Sequence, residues 1–321
     1  MKRRHLRPPD TVPYRNSPRA HGTRGWFDPN VSWSGLRDAH QGRALPNHVR
    51  VQSWGASIAV LAPGWATDPL PLFLEPNSEV NTVSDGFDPS GRVDATVTAK
   101  RTEHGWQIVG DVGTSWRGVG DDPTARADVA RRLASEVHLA IAAHADGVTF
   151  IHAGAVAWRG AGVILPGTSR AGKSTLVHAL LLAGASYLSD EYAVLDHAGH
   201  MHPYTKPLAI REPTGTKLVQ PERIGTVATK PVPVRAVVHT RYTKGATWTP
   251  RHARGAEVVI PLVANAVAAQ LAPLDVTANT VAVASRDAVL FDGPRGEADH
   301  TAHAILAAID ELLEPNQNHP R

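Results

Sequence analysis

Residues 162–196, GVILPGTSRAGKSTLVHALLLAGASYLSDEYAVLD, decide how the rest of this chain is read. Val163 to Leu165 form a short continuous apolar run, as expected of a strand buried on both faces. A glycine-bearing turn follows, then an Ala/Leu-rich helical stretch, then a second strand that ends in Asp190 and Glu191. The turn, Gly167 to Ser174, fits G-x-x-x-x-G-K-[ST]. Glycines there let the backbone wrap a phosphate, whose oxygens accept successive N–H bonds at a helix N-terminus with a favourable dipole. The spacing assigns the cradle to Gly167, Thr168, Ser169, Arg170, Ala171, Gly172, Lys173, Ser174 and Thr175. In that pattern Lys173 reaches the β- and γ-phosphates and the Ser174 hydroxyl binds Mg2+. No N-K-x-D motif for guanine follows, so ATP is the expected nucleotide.

Glu191 lies 18 residues after Lys173, one helix and one strand beyond the loop. In open parallel sheets the carboxyl edge of the strands is where ligands bind. Phosphoryl transfer needs one carboxylate near the metal and one to take the proton of an attacking hydroxyl. Adjacent residues at a strand end can diverge and so divide these roles. A solvated acidic turn is the bland alternative for the pair taken alone; its register with the loop favours the functional reading.

The stretch resembles the C-terminal catalytic domain of HPr kinase/phosphorylase and its wider family, in which a phosphate-binding loop and a helix precede an Asp-Asp pair. The resemblance covers about residues 147–215 well, the rest of the C-terminal half loosely, and none of the N-terminal half. It implies that Asp190, with Ser174, holds the metal and that Glu191 is the proton acceptor. Glu in place of Asp keeps the charge but adds a methylene, changing reach and angle. His152, fifteen residues before Gly167 in FIHAGAV, has the spacing of the family's active-site histidine. Such a group can carry charge near neutral pH and contact phosphate or tune the carboxylates. LAIR, residues 208–211, resembles the family's L-E-I-R segment. Arg211 matches its arginine, whereas Ala209 stands where the family has a metal-associated glutamate; either Glu212 substitutes from a different angle or the metal has fewer protein ligands, and the family's reverse, phosphorylase reaction is not carried over. The implied activity is ATP- and Mg2+-dependent phosphorylation of a hydroxyl, by the resemblance a serine of a peptide or protein, as in kinases that tailor ribosomally made peptides. A sugar or alcohol kinase and a non-catalytic nucleotide-binding protein are the alternatives. Arg241, in HTRYTKG, is a further candidate phosphate contact.

Outward from this stretch, the expected fold class is α/β: a P-loop catalytic domain over 147–321, behind a smaller β-rich domain over 46–146 and a basic arm over 1–45. VRVQSW, SIAVLAP and LPLFLE read as short strands, and ATVTAKRTEHGWQIVG as a hairpin about His104-Gly105. Asp122-Pro123-Thr124 starts a helix with Val129, Leu133, Val137 and Ile141 at helical spacing. Beyond the loop, KPLAIRE reads as irregular, VRAVVHTRY and TVAVAS as strands, and Ile305, Ile309 and Leu312 share one face of a last helix.

The chain has 321 residues, 42% of them hydrophobic and 20% charged, as in an ordinary globular protein. No apolar run approaches the roughly 20 residues of a membrane helix, and no secretory signal is present, so a cytoplasmic location is expected. Cysteine is absent, which excludes disulfides, and the 17 histidines show no zinc spacing. Residues 1–50 carry a net charge of +7 within a total of +3. No DNA or RNA module accompanies that arm, so a nucleic-acid partner is not expected. An acidic acceptor is one reading of the arm and a solubilising tail the other; homo-oligomerisation is left open.

Overall fold

A computed structural model describes residues 48–82, 93–110, 115–167, 171–212, 215–267 and 274–314. The basic arm lies outside the described residues. The chain forms a mixed α/β structure with two large sheets and helices packed against them.

The first sheet has the order β3-β1-β2-β4-β5-β6. Its strands are β1 (His48–Ser53), β2 (Ala56–Leu61), β3 (Glu79–Thr82), β4 (Ala95–Thr102), β5 (Gly105–Gly110) and β6 (Ser115–Val119). All neighbours are antiparallel except β2 and β4, which run parallel. Two short helices, α1 (Gly64–Thr67) and α2 (Leu70–Phe73), follow β2. LPLFLE is thus a helical turn rather than a strand: Pro69 and Pro71 fall at its start, where a missing N–H costs nothing.

Helix α3 (Pro123–His144) begins where expected, with the Asp122 carboxylate accepting from the N–H groups of Thr124 and Ala125. Its Val129, Leu133, Val137 and Ile141 are buried against the first sheet. That core does not stop at residue 146: Phe150, Tyr192, Val194 and Tyr204 belong to the same cluster.

The second sheet has the order β11-β10-β7-β8-β14-β16-β15, with β9 beside β7. Its strands are β7 (Val148–Trp158), β8 (Ala161–Pro166), β9 (Ser186–Ser189), β10 (Tyr192–Asp196), β11 (His200–His202), β14 (Val232–Tyr242), β15 (Arg251–Ala253) and β16 (Val289–Arg295). Here β8, β14 and β16 are parallel neighbours, whereas β7 runs antiparallel to β8 and β10. The start of β14 also pairs with β11, which folds this sheet back on itself.

Helices α4 (Lys173–Leu182) and α7 (Ala298–Leu313) cover one face, burying Val163 and Leu165. Helices α5 (Ala256–Val263) and α6 (Leu274–Ala284) cover the other, burying Ile164. This two-sided burial explains the unbroken apolar run of β8. TVAVAS is part of α6, not a strand: buried Thr277, Thr280, Val281 and Ala284 recur at helical spacing. KPLAIRE is not irregular either; its end forms a hairpin of β12 (Leu208–Glu212) and β13 (Gly215–Val219).

Candidate active site

Four of the residues singled out in the sequence, His152, Lys173, Asp190 and Glu191, lie near one another beside the end of β8. Strand β8 leads to Gly167, and the chain re-emerges at Ala171 and Gly172 to start α4 at Lys173. Thr168, Ser169 and Arg170 lie outside the described residues. Gly172, at φ +82°, caps the helix in the left-handed region. A Cβ there would also stand 2.5 Å from Arg295 Nη2, so a side chain at this position would displace that guanidinium. Lys173 curls back over the loop: its Nζ donates to the Gly167 carbonyl at 2.6 Å and lies 3.2 Å from His152 Nε2. Burial, only partly offset by Glu191 and Asp190, lowers the Lys173 pKa to about 8. Ser174 is half-buried in the first turn of α4, and Thr175 is exposed.

Asp190 and Glu191 directly follow the end of β9, as expected, but the chain resumes as a strand at once. Strands β9 and β10 run along the same side of β7 as one interrupted strand. Its register slips beside Leu188, and the ladder resumes with Tyr192 opposite His152. The interruption has a local cause. The Ser189 hydroxyl accepts from the N–H groups of Glu191 and Tyr192, at 3.2 and 3.0 Å, drawing them away from a regular ladder. Such irregularities re-aim side chains, and this one separates the two acids. Asp190 is buried, its Oδ1 accepting from the Tyr187 hydroxyl at 3.1 Å. Glu191 points toward α3 and His138.

Two ionisable groups outside the sequence reading, Lys206 and His138, complete the cluster. Lys206 Nζ lies 2.9 Å from Glu191 Oε2 and 3.4 Å from Asp190 Oδ1. Burial opposes its charge, but the two carboxylates outweigh burial and hold its pKa above the ordinary lysine range. Burial likewise favours the neutral form of Glu191, yet Lys206, then His138, overcome it and hold the carboxyl at about 2. His138, carried in by α3, places Nδ1 3.8 Å from Glu191 Oε2. Burial lowers its pKa to about 4, and its buried Nε2 has no hydrogen-bond partner among the described residues. His152 is also lowered, by burial first and Lys173 second, so it is neutral beside the ammonium. Its backbone N–H donates to Asn265 at 2.7 Å.

On the opposite flank of the loop stands Arg295, at the end of β16. Its Nη2 donates to the Gly172 carbonyl at 3.2 Å and its Nη1 to that of Gly296 at 3.0 Å. The guanidinium is buried, and its Nε has no partner among the described residues. Arg211 stands on β12 opposite Thr216, and Arg241 on β14 opposite Pro294 of β16.

The donor set suits a hard divalent ion: a hydroxyl at a helix start and a buried carboxylate, both oxygen ligands of the kind Mg2+ takes alongside phosphate and water. Among the described residues, no group of three or more His, Cys, Asp or Glu forms a self-sufficient metal cage. None of the described helices is long and apolar enough to cross a membrane. No protein-family model matches this chain, and no curated protein matches it.

Proposed function

We propose that the protein is a P-loop kinase, similar to the HPr-kinase family, that transfers the γ-phosphoryl group of ATP to the hydroxyl of a peptide or protein serine. The carrying observation is the convergence of a strand–glycine loop–helix unit with two non-equivalent carboxylates at one sheet edge. A chance glycine turn has no reason to face an acid pair across a histidine.

In this reading the loop amides and the α4 N-terminus hold the phosphates, and Lys173 leaves the Gly167 carbonyl to neutralise charge on the β- and γ-oxygens. Ser174 and Asp190 would hold Mg2+, which would supply positive charge to offset that of the phosphates. Glu191, ionised and held by Lys206, accepts the proton of the attacking hydroxyl. Its low pKa makes it a weak base, which suffices where the transition state is loose and the hydroxyl proton leaves late. His152, being neutral, lies beside Lys173 without adding a third cation to the edge. Catalysis is then mostly positioning and electrostatics.

The acceptor recognition surface belongs to the N-terminal sheet, since α3 carries that half of the chain directly to Glu191 through His138. The test is incubation with ATP, Mg2+ and serine-containing peptides, read by the mass gain of one phosphate. Phosphate on a sugar or alcohol instead, with none on any peptide, would move the reading to a small-molecule kinase. Nucleotide binding with no transfer to any acceptor would make it a binding protein.

A further inference from the structure

Lys206 is the feature of this site that the resemblance does not contain. It precedes Ala209 by three residues, so the segment that lacks the family's metal-associated glutamate supplies a lysine beside the acid pair. The lysine is held at both ends. Its ammonium spans Glu191 Oε2 at 2.9 Å and Asp190 Oδ1 at 3.4 Å. Its own carbonyl lies 3.0 Å from the hydroxyl of Tyr187, the fully buried side chain that also donates to Asp190. The N–H of Tyr204, two residues earlier, donates to Leu188 of β9 at 2.9 Å. The Lys206 side chain is only 12% exposed, so water does little to screen it.

A free divalent ion approaching Asp190 would meet an ammonium already on the same oxygen, and like charges in a dry site repel strongly. A metal that arrives with a nucleotide brings a net negative complex, to which a lysine is attracted. Resting on the kinase reading above, we propose that Lys206 is the resident counter-ion of the Asp190–Glu191 pair, excluding free divalent metal and releasing Asp190 only to metal that comes with nucleotide. Lys206 then keeps its bond to Glu191 and turns its remaining donors toward the transferred phosphoryl group. It is a positioning residue that makes metal binding conditional on nucleotide.

Mn2+ serves as the probe, its free concentration read by electron paramagnetic resonance with the full chain, with and without a non-hydrolysable ATP analogue. Wild type is expected to bind Mn2+ weakly alone and at least tenfold more tightly with the analogue. Lys206→Met is expected to bind Mn2+ alone at least tenfold more tightly than wild type, with the difference shrinking when the analogue is present. Lys206→Gln, which keeps a donor for Glu191, gives the same readout if the methionine variant fails to fold, and Lys206→Arg should exclude free Mn2+ as wild type does. Equal Mn2+ affinity of wild type and the neutral variants without nucleotide, in proteins that bind the analogue, overturns this proposal alone. No Mn2+ binding by any of them even with the analogue overturns the kinase reading and this proposal together.

Discussion

His138 gives the cluster a measurable pH signature. In the folded protein its burial keeps it neutral down to about pH 4, whereas in the unfolded chain it protonates near its ordinary value of 6.5. Between those limits the unfolded state binds more protons, so stability must fall as the pH falls. A displacement of roughly 2.5 units at about 1.4 kcal/mol per unit makes the full effect about 3 kcal/mol, of which about 2 kcal/mol is lost between pH 7 and pH 4.5. Glu191 acts in a different window: its folded pKa is depressed, so its contribution is lost only below 4.5, toward 2. His152 shifts in the same direction as His138 and adds to the wild-type slope. His138→Gln is neutral at every pH and isolates the His138 share. Urea unfolding at pH 7 and pH 4.5 should show the variant losing about 2 kcal/mol less than wild type. Equal losses in both proteins would refute a neutral, buried His138 against Glu191.

Four further substitutions probe the site. Gly172→Ala forces a side chain into left-handed backbone and onto Arg295, and should cost about 1–3 kcal/mol in urea unfolding and weaken nucleotide binding. Glu191→Gln should slow phosphoryl transfer by about 10²–10⁴-fold while nucleotide affinity, measured by calorimetry, is kept; Asp190→Asn should instead raise the Mg2+ requirement, and the reverse pairing of effects would exchange their roles. Arg295→Met removes the donor to the Gly172 carbonyl and should weaken nucleotide affinity by destabilising the loop, at a cost of about 1–3 kcal/mol in unfolding.

What the sequence disclosed follows from how local the signals are. The run of β8, the helix that follows the glycine turn and the start of α3 at Asp122 each rest on neighbouring residues, and all three stand as read. LPLFLE and TVAVAS misled because four to six apolar residues carry too little period to separate strand from helix. The antiparallel course of β7 beside β8 has no local signature, and it changes the setting of the acids from a strand end to an interruption held by Ser189. His138 and Lys206 were invisible for a related reason. One is a histidine on an amphipathic helix and the other a lysine before a proline, and only the packing of α3 and of the 204–206 segment brings them to Glu191.

Binding of MgATP to the wild type and to Lys173→Ala, measured side by side by isothermal titration calorimetry, bears most directly on the site. Lys173 Nζ donates to the Gly167 carbonyl, at the start of the glycine loop. Saturable one-to-one binding by the wild type, weakened at least tenfold in a folded Lys173→Ala, is the predicted result. No binding by the wild type, or equal binding by the two proteins, would contradict a nucleotide site at this loop.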